Sequence, residues 1–288
     1  MRRFAAGDFT LADLVERKCE AVTAILPARE TAVTIGGVID ALATLRDGGL
    51  IDRMVVIDAD SSDGTAAVAV GRGAEVLSET ALMPELGPVL GKGDAMYRAL
   101  AATDGEIVVF LDTDSHAFDP AFALGLLGPL ISDPSIGFVK AAYDRPFAAG
   151  EQVVPHGGGR VNELVARPLL NLFFPALAVC RQPLAGEVAG RRDLLETLPF
   201  PVGYGVEIAN LIDAHTALGG EGLAQVEVGS RHNSHQPLRE LAPMAYAVIA
   251  TVMARADLET VRDPAGKILL PALDGVEERQ VPLLERPP

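Results

Sequence analysis

Along the first half of the chain, short unbroken apolar runs alternate with segments whose apolar residues recur every three or four positions. Val22-Thr23-Ala24-Ile25-Leu26 reads as a strand stopped by Pro27. Residues 34–45 carry a helical pattern, and Met54-Val55-Val56-Ile57 is a second buried strand. Asp63-Gly64-Thr65 opens a further helix, with Asp63 or Ser62 as its cap. A third strand is predicted at 74–77, a helix at 92–102, and a fourth, strongly apolar strand at Ile107-Val108-Val109-Phe110-Leu111. Strands and helices alternating at this spacing predict an α/β fold, a parallel sheet with helices on both faces. Ligands of such sheets bind beyond the carboxyl ends of the strands. Three polar segments stand there: Pro27-Ala28-Arg29-Glu30, Asp58-Ala59-Asp60-Ser61-Ser62 and Asp112-Thr113-Asp114-Ser115. They are expected to converge on one crevice.

The second half is less regular. A strand is expected at 137–142, and Gly157-Gly158-Gly159 forms a hinge before a helical run from about Val161. Residues 223–228 read as a strand and 238–254 as a long helix. The first few residues and the last dozen or so are expected to be loosely held. No internal repeat and no linker between domains is visible.

Composition narrows the function. A length of 288 residues suits one large α/β domain, and 49% hydrophobic residues supply its core. The net charge of −15 argues against a nucleic-acid binder, because phosphate contacts dominate that affinity. The same field repels small anions, so an anionic ligand needs cations placed locally. Only four lysines occur, Lys18, Lys92, Lys140 and Lys267. Cys19 and Cys180 form no pattern that needs an oxidising compartment. Residues 169–180, the most apolar stretch, fall short of the roughly 20 residues that span a bilayer, and the start lacks an apolar signal core. A soluble, cytoplasmic protein with no membrane contact is expected.

The candidate chemistry begins with Asp112-Thr113-Asp114. Two carboxylates one residue apart on an exposed strand end suit a hard cation, and Mg²⁺ or Mn²⁺ would neutralise a diphosphate. Such a triplet is common by chance, but the apolar strand before it favours the metal reading. The 58–65 segment suits hydrogen bonds to a base or ribose about as well as ordinary helix capping. Gly91-Lys92-Gly93-Asp94 looks like a phosphate loop at a helix N-terminus, without the Walker spacing. Gly157-Gly158-Gly159-Arg160, then Asn162-Glu163, offers backbone donors and a fork-shaped cation. His232 and His235 stand in a polar loop, where most histidines are simply solvated; either could complete a metal site. Zinc is disfavoured, since no cysteine set or HExxH motif accompanies them.

The order Pro27-Ala28-x-Glu30, Asp58-Ala59-Asp60-Ser61-x-Asp63-Gly64-Thr65, Gly91-Lys92-Gly93 and Asp112-x-Asp114 resembles GT-A glycosyltransferases. The second half is more specific. Gly157-Gly158-Gly159-Arg160-Val161-x-Glu163, Gln182-Pro183-Leu184-x-Gly186-Glu187 and Pro199-Phe200-Pro201-x-Gly203-Tyr204-Gly205-Val206-Glu207 resemble glucosyl-3-phosphoglycerate synthases and the related actinobacterial mannosyl-3-phosphoglycerate synthases. The resemblance spans about residues 20–255. It implies a retaining hexosyltransferase that moves glucose or mannose from a sugar nucleotide, UDP-glucose or GDP-mannose, to the 2-hydroxyl of 3-phosphoglycerate. It implies an N-terminal extension (1–19), a nucleotide-binding half (20–135), an acceptor-binding half of the same domain (136–270) and a tail (271–288).

Carried onto this sequence, Pro27, Ala28, Arg29, Glu30, Asp58, Ser61, Lys92, Asp112 and Thr113 would hold the donor. Asp114 and His232 would hold Mg²⁺ or Mn²⁺. Gly159, Arg160, Asn162 and His235 would bind the acceptor, and Leu184 and Glu207 would flank the reacting sugar. The metal histidine stays open between His232 and His235. Asn162 stands where the family leads one to expect threonine, and Arg29 where it leads one to expect asparagine. The family also implies a homodimer. The readings that compete are an inverting transferase acting on a lipid carrier or polysaccharide, a sugar-nucleotide-forming nucleotidyltransferase, and a non-catalytic sugar-nucleotide-binding protein. The first lacks an anchor, the second its Gly-rich basic start, and intact Asp112, Asp114, Lys92 and Glu207 speak against the third.

Overall fold

A computed structural model describes residues 1–116, 118–149, 152–154, 158–231, 237–256 and 267–280. The first part runs β1 (Arg2–Ala5), α1 (Leu11–Arg17), β2 (Val22–Ala28), α2 (Ile35–Asp47), β3 (Arg53–Asp58), α3 (Thr65–Gly71), β4 (Glu75–Ser78), α4 (Lys92–Ala102) and β5 (Ile107–Phe110). It continues through α5 (Ala121–Ser132), β6 (Phe138–Asp144), β7 (Phe147–Ala149) and β8 (Gln152–Val154). A π-helical turn (Asn162–Ala166) leads into α6 (Arg167–Phe173), followed by β9 (Val188–Arg191), α7 (Arg192–Leu195), α8 (Val206–Leu218) and β10 (Leu223–Ser230). The chain ends in α9 (Leu241–Met253), β11 (Lys267–Ala272) and β12 (Gly275–Gln280).

Among the described residues, eight strands form one sheet in the order β1-β10-β6-β9-β5-β2-β3-β4. Its two faces are apolar in alternate positions, as buried strands require. Ile107 and Val109 of β5 pack with α2 and α5, while Val108 and Phe110 pack with α4 and α8 on the other side. Both halves of the chain contribute strands to this one sheet.

Three expectations change. The sheet is mixed, because β9 runs antiparallel between β5 and β6. Its direction follows from its entry: residues 182–187 cross the carboxyl ends of the parallel strands, so the next strand must descend. The first residues are not loosely held; β1 pairs in parallel with β10 as an edge strand. Pro27 does not stop β2, which runs to Ala28 with Pro27 opposite Ile57. Pairing of β2 with β5 ends at Ile25, so the missing proline N–H removes no ladder bond there. The helix over 92–102 is found as expected, and the one at 65–71 starts from Gly64, with the Asp63 carboxylate accepting from the Thr65 N–H at 2.9 Å. Strand β9 and helices α5 and α8 were not read from the pattern. No helix among the described residues is long and apolar enough to cross a membrane.

The N-terminus of α4 is pressed against residues 201–203. Asp94 donates its N–H to the Val202 carbonyl at 3.1 Å, and Gly91 adopts φ 143°. A Cβ on Gly93 would fall inside the Pro201 carbonyl oxygen and 2.9 Å from Val206 Cβ. Gly→Ala in a helix ordinarily stabilises by about 0.5–1 kcal/mol. Gly93→Ala is instead expected to destabilise, by about 1–3 kcal/mol as overpacking does; a denaturant midpoint at or above that of the unsubstituted protein would contradict this.

Candidate active site

The carboxyl ends of β2, β3 and β5 meet as expected, through four hydrogen bonds. The Glu30 N–H donates to Ser61 Oγ at 2.9 Å, and the Ser62 N–H donates back to Glu30 Oε1 at 2.9 Å. Thr113 donates its hydroxyl to the Pro27 carbonyl at 2.9 Å, and its own carbonyl accepts from the Thr34 hydroxyl at 2.7 Å. Thr113 is thus 2% exposed, turned inward as a clamp between strand ends. Glu30 and Asp60 hold left-handed backbone, φ 51° and 53°, of the kind that gathers at ligand clamps. Asp58 is buried; one carboxylate oxygen accepts from the Ser61 N–H at 3.1 Å and the other has no partner. That orphaned acceptor, beside Ala28 and exposed Arg29, is suited to an N–H or O–H of a nucleoside.

Next to this loop cluster lies a cleft of about 330 Å³. It is lined from the donor side by Lys92, Asp112, Asp114, Glu207 and Arg231, and from the other by Arg145, Gly158, Gly159, Arg160, Asn162 and Leu184. Lys92, the first residue of α4, reaches Asp112 at 2.6 Å and Glu207, in the first turn of α8, at 3.1 Å. Arg231, just past β10, is 3% exposed. Its guanidinium contacts Asp112 at 3.1 Å, Asp114 at 2.5 Å and Glu187. Burial works to raise the Asp112 carboxyl, but the Lys92 ammonium and Arg231 guanidinium outweigh it and hold it below the usual carboxylate range. Burial likewise works against the Lys92 ammonium, and Asp112 and Glu207 outweigh it, so it stays charged.

The opposite wall is built around Asn162. This buried side chain accepts from the Leu184 N–H at 3.4 Å and donates to Glu163 Oε1 at 2.9 Å. Gly159, with φ 68°, turns the chain into the helix that begins at Arg160. Behind Leu184, the buried ammonium of Lys140 donates to the Ala185 carbonyl at 2.6 Å. Gly186 lets this turn approach the charges: a Cβ there would sit on the Lys92 ammonium and 2.5 Å from Asp112 Oδ2.

The structure therefore gathers Lys92, Asp112, Asp114, Glu207, Gly159, Arg160, Asn162 and Leu184 around one cleft, with Pro27, Ala28, Arg29, Glu30, Asp58 and Ser61 in the adjoining loops. His232, His235 and Gly157 lie outside the described residues. Three partners went unread as site residues: Arg145, Tyr143 and Lys140. Arg145 was within reach, since it stands three residues past the strand expected at 137–142, at a carboxyl end where ligands bind. Glu187, the carboxylate just before β9, is 2% exposed and bound by the Tyr143 hydroxyl at 2.9 Å and by Arg231. It has no free face to present to a substrate. Among the described residues no three His, Cys, Asp or Glu side chains gather as a metal set. Asp114, its side chain 55% exposed at the cleft, nonetheless offers hard oxygen donors that fit Mg²⁺ or Mn²⁺.

A sheet of this order, with one strand returning antiparallel from the cleft, is the GT-A arrangement of glycosyltransferases, shared with the solved structures below. The mannosyl-3-phosphoglycerate synthase of Rubrobacter xylanophilus superposes with a TM-score of 0.83 at 43% identity, covering 100% of this chain and 96% of that one. The glucosyl-3-phosphoglycerate synthase of Mycobacterium tuberculosis, crystallised with Mn²⁺, UDP-glucose and phosphoglyceric acid, gives 0.79 at 40% identity, over 97% and 94% of the chains. In sequence, the glucosyl-3-phosphoglycerate synthase of Mycolicibacterium smegmatis is 45% identical over 251 residues, 87% of this chain and 82% of that protein. No family model matches the chain. The chain belongs to the glucosyl-3-phosphoglycerate synthase family, and it is a hexosyltransferase.

Burial brings the Lys140 ammonium down to about 8, from 10.5. A base whose folded value lies below its unfolded one binds its proton more weakly in the folded state, so its contribution to stability rises as pH climbs from about 8 to about 10.5. Compared with Lys140→Met, the unsubstituted protein should gain relative stability across that window. Urea unfolding of both proteins at about pH 7 and about pH 10 checks this; a difference that does not change with pH would refute it.

Proposed function

We propose that this protein transfers glucose from UDP-glucose to the 2-hydroxyl of 3-phosphoglycerate with retention of configuration, with Mg²⁺ or Mn²⁺, acting in the cytoplasm as a homodimer. The observation that carries the reading is the facing of two charge sets across one small cleft: Lys92, Arg231 and Asp114 toward the diphosphate, Gly159, Arg160 and Asn162 toward the acceptor. Both substrates are anions, and the protein is an anion of charge −15, so the cations must be where they are. Glucose is taken as the sugar because the relatives matched in sequence, in Mycolicibacterium smegmatis and Petrotoga mobilis, are named glucosyl-3-phosphoglycerate synthases, although the Rubrobacter xylanophilus structure at 43% identity is a mannosyl-3-phosphoglycerate synthase.

The ion would be held by Asp114 with a histidine of the segment after Arg231, and it supplies charge neutralisation for the diphosphate as that group leaves. This chain's residues do the rest. Lys92 and Arg231 face the diphosphate, Glu207 bonds the sugar hydroxyls, and the Leu184 carbonyl accepts the hydrogen of the attacking acceptor hydroxyl. The acceptor oxygen bonds the anomeric carbon on the face that the phosphate oxygen is leaving. The hydroxyl proton passes to that phosphate oxygen, and UDP departs. No side-chain nucleophile is required, which accords with Glu187 being occupied by Tyr143 and Arg231, and Glu207 by Lys92.

The test is incubation with Mg²⁺, 3-phosphoglycerate and, in turn, UDP-glucose, GDP-mannose and other common sugar nucleotides, with products weighed by mass spectrometry. Glucosyl-phosphoglycerate from UDP-glucose is expected; a product only with GDP-mannose reassigns the sugar, and none with any donor sinks the reading. Asp114→Ala should abolish turnover while the protein stays folded, because Asp112 and Glu187 still pair with Arg231. Full activity in excess EDTA would remove the metal from the account.

A further inference from the structure

Lys140 stands in the middle of β6, opposite Val188 of β9, and strand alternation puts its side chain on the sheet face of Phe138. That face packs apolar residues such as Leu177, Cys180 and Val206 against the sheet. Lys140 is nevertheless charged chemistry in a core position, 1% exposed. Asp112 and Glu207 favour its charge, but burial outweighs them and lowers its basicity. An apolar side chain of the same length would fill this position without that cost. What the ammonium adds is one contact, a hydrogen bond to the Ala185 carbonyl at 2.6 Å.

The turn that receives this bond runs over residues 182–187 and is pinned on both sides. The Leu184 N–H donates to Asn162 at 3.4 Å, and the Ala185 N–H donates to the Gln182 carbonyl at 3.0 Å. Further on, the Glu187 carbonyl accepts from the Ala141 N–H at 3.2 Å. Between these points the peptide that joins Ala185 to Gly186 is the loose link. Position 186 has to be glycine, since a Cβ there would fall on the Lys92 ammonium and the Asp112 carboxylate. Glycine in turn puts little restriction on the torsions that rotate that peptide. The carbonyl of this same peptide is the one that Lys140 holds. Among the described residues nothing donates to the carbonyl one step back, that of Leu184.

We propose that Lys140 is a positioning residue for the transfer step: its hydrogen bond to the Ala185 carbonyl locks the Ala185–Gly186 peptide, and through it the Leu184 carbonyl that meets the acceptor hydroxyl. This rests on the role given to Leu184 above. Lys140 does not line the cleft, so it touches neither substrate and its loss acts on rate rather than on binding. A reacting group displaced by about 1 Å costs about 100-fold in rate, which sets the scale of the effect.

The test measures kcat, both KM values and urea unfolding at about pH 7 for the unsubstituted protein, Lys140→Met and Lys140→Gln, with UDP-glucose, 3-phosphoglycerate and Mg²⁺ as reactants. Lys140→Met fills the space without a donor. It should stay folded, with a urea midpoint close to or above that of the unsubstituted protein, because it removes a buried charge. Its kcat should fall by about 10- to 100-fold, while each KM changes by less than about threefold. Lys140→Gln keeps an N–H donor one bond shorter and should recover part of the lost kcat. A role in folding alone gives the reverse pattern, a lowered midpoint with kcat intact. A Lys140→Met protein that does not fold, or one that keeps its kcat, overturns the assignment, and so does a glutamine variant no faster than the methionine one. If the unsubstituted protein makes no product, it is the reading of the function that fails, and the lock fails with it.

Discussion

A buried guanidinium shared by three carboxylates organises this protein. Arg231 enters the site from the end of β10 and meets Asp112 and Asp114 from the end of β5 and Glu187 from the start of β9. Acidic groups this close in a half-enclosed site would otherwise repel one another and take up protons. With Arg231 and Lys92 beside it Asp112 is held below the usual carboxylate range, and strands that are distant in sequence are fixed relative to one another. Removing the guanidinium would leave buried charges without compensation, a loss of about 3–5 kcal/mol. The Arg231 N–H also donates to the Asp144 carbonyl at 2.9 Å, so the same residue ties β10 to the end of β6, next to Arg145.

The second constraint is the turn at residues 184–186, which must come within contact distance of those charges. Gly186 permits the approach, Asn162 holds the Leu184 N–H, and Lys140 holds the Ala185 carbonyl from behind. A lysine ammonium is costly to bury, and its lowered basicity records that cost. The carbonyl of Leu184, one residue away, is the group assigned to the acceptor hydroxyl. Rigid backbone of this kind stabilises charge without having to reorganise when the reaction occurs.

Much of this was legible in the chain. Unbroken apolar runs marked β2, β3 and β5, and the polar residues after them marked the carboxyl edge where the site forms. The charge pattern around Asp112 and Lys92 could be read as phosphate chemistry before any contact was known. What could not be read was long-range. Strand β9, Val-Ala-Gly-Arg, is four residues with no alternation, and it is a strand only because β5 and β6 leave a slot that an antiparallel neighbour fills. The N-terminal strand is likewise made by its pairing with β10. Thr113, read as a donor contact, turns out to face inward, because its hydroxyl is needed by the Pro27 carbonyl. Arg145 stands just past a strand end that could be read, but only packing shows that the carboxylates which match its neighbours do not reach it.

Hexosyl transfer on one face of the sugar, with charge stabilisation in place of a side-chain nucleophile, fixes the configuration of the product. The configuration of the first-formed product tests it most directly. The protein would be mixed with UDP-glucose, 3-phosphoglycerate and Mg²⁺, and the anomeric proton of the product followed by NMR from the earliest turnovers. An α-linked glucosyl group from the α-linked donor is the predicted result, while a β-linked product, or a glycosyl group trapped covalently on Glu207, would contradict it.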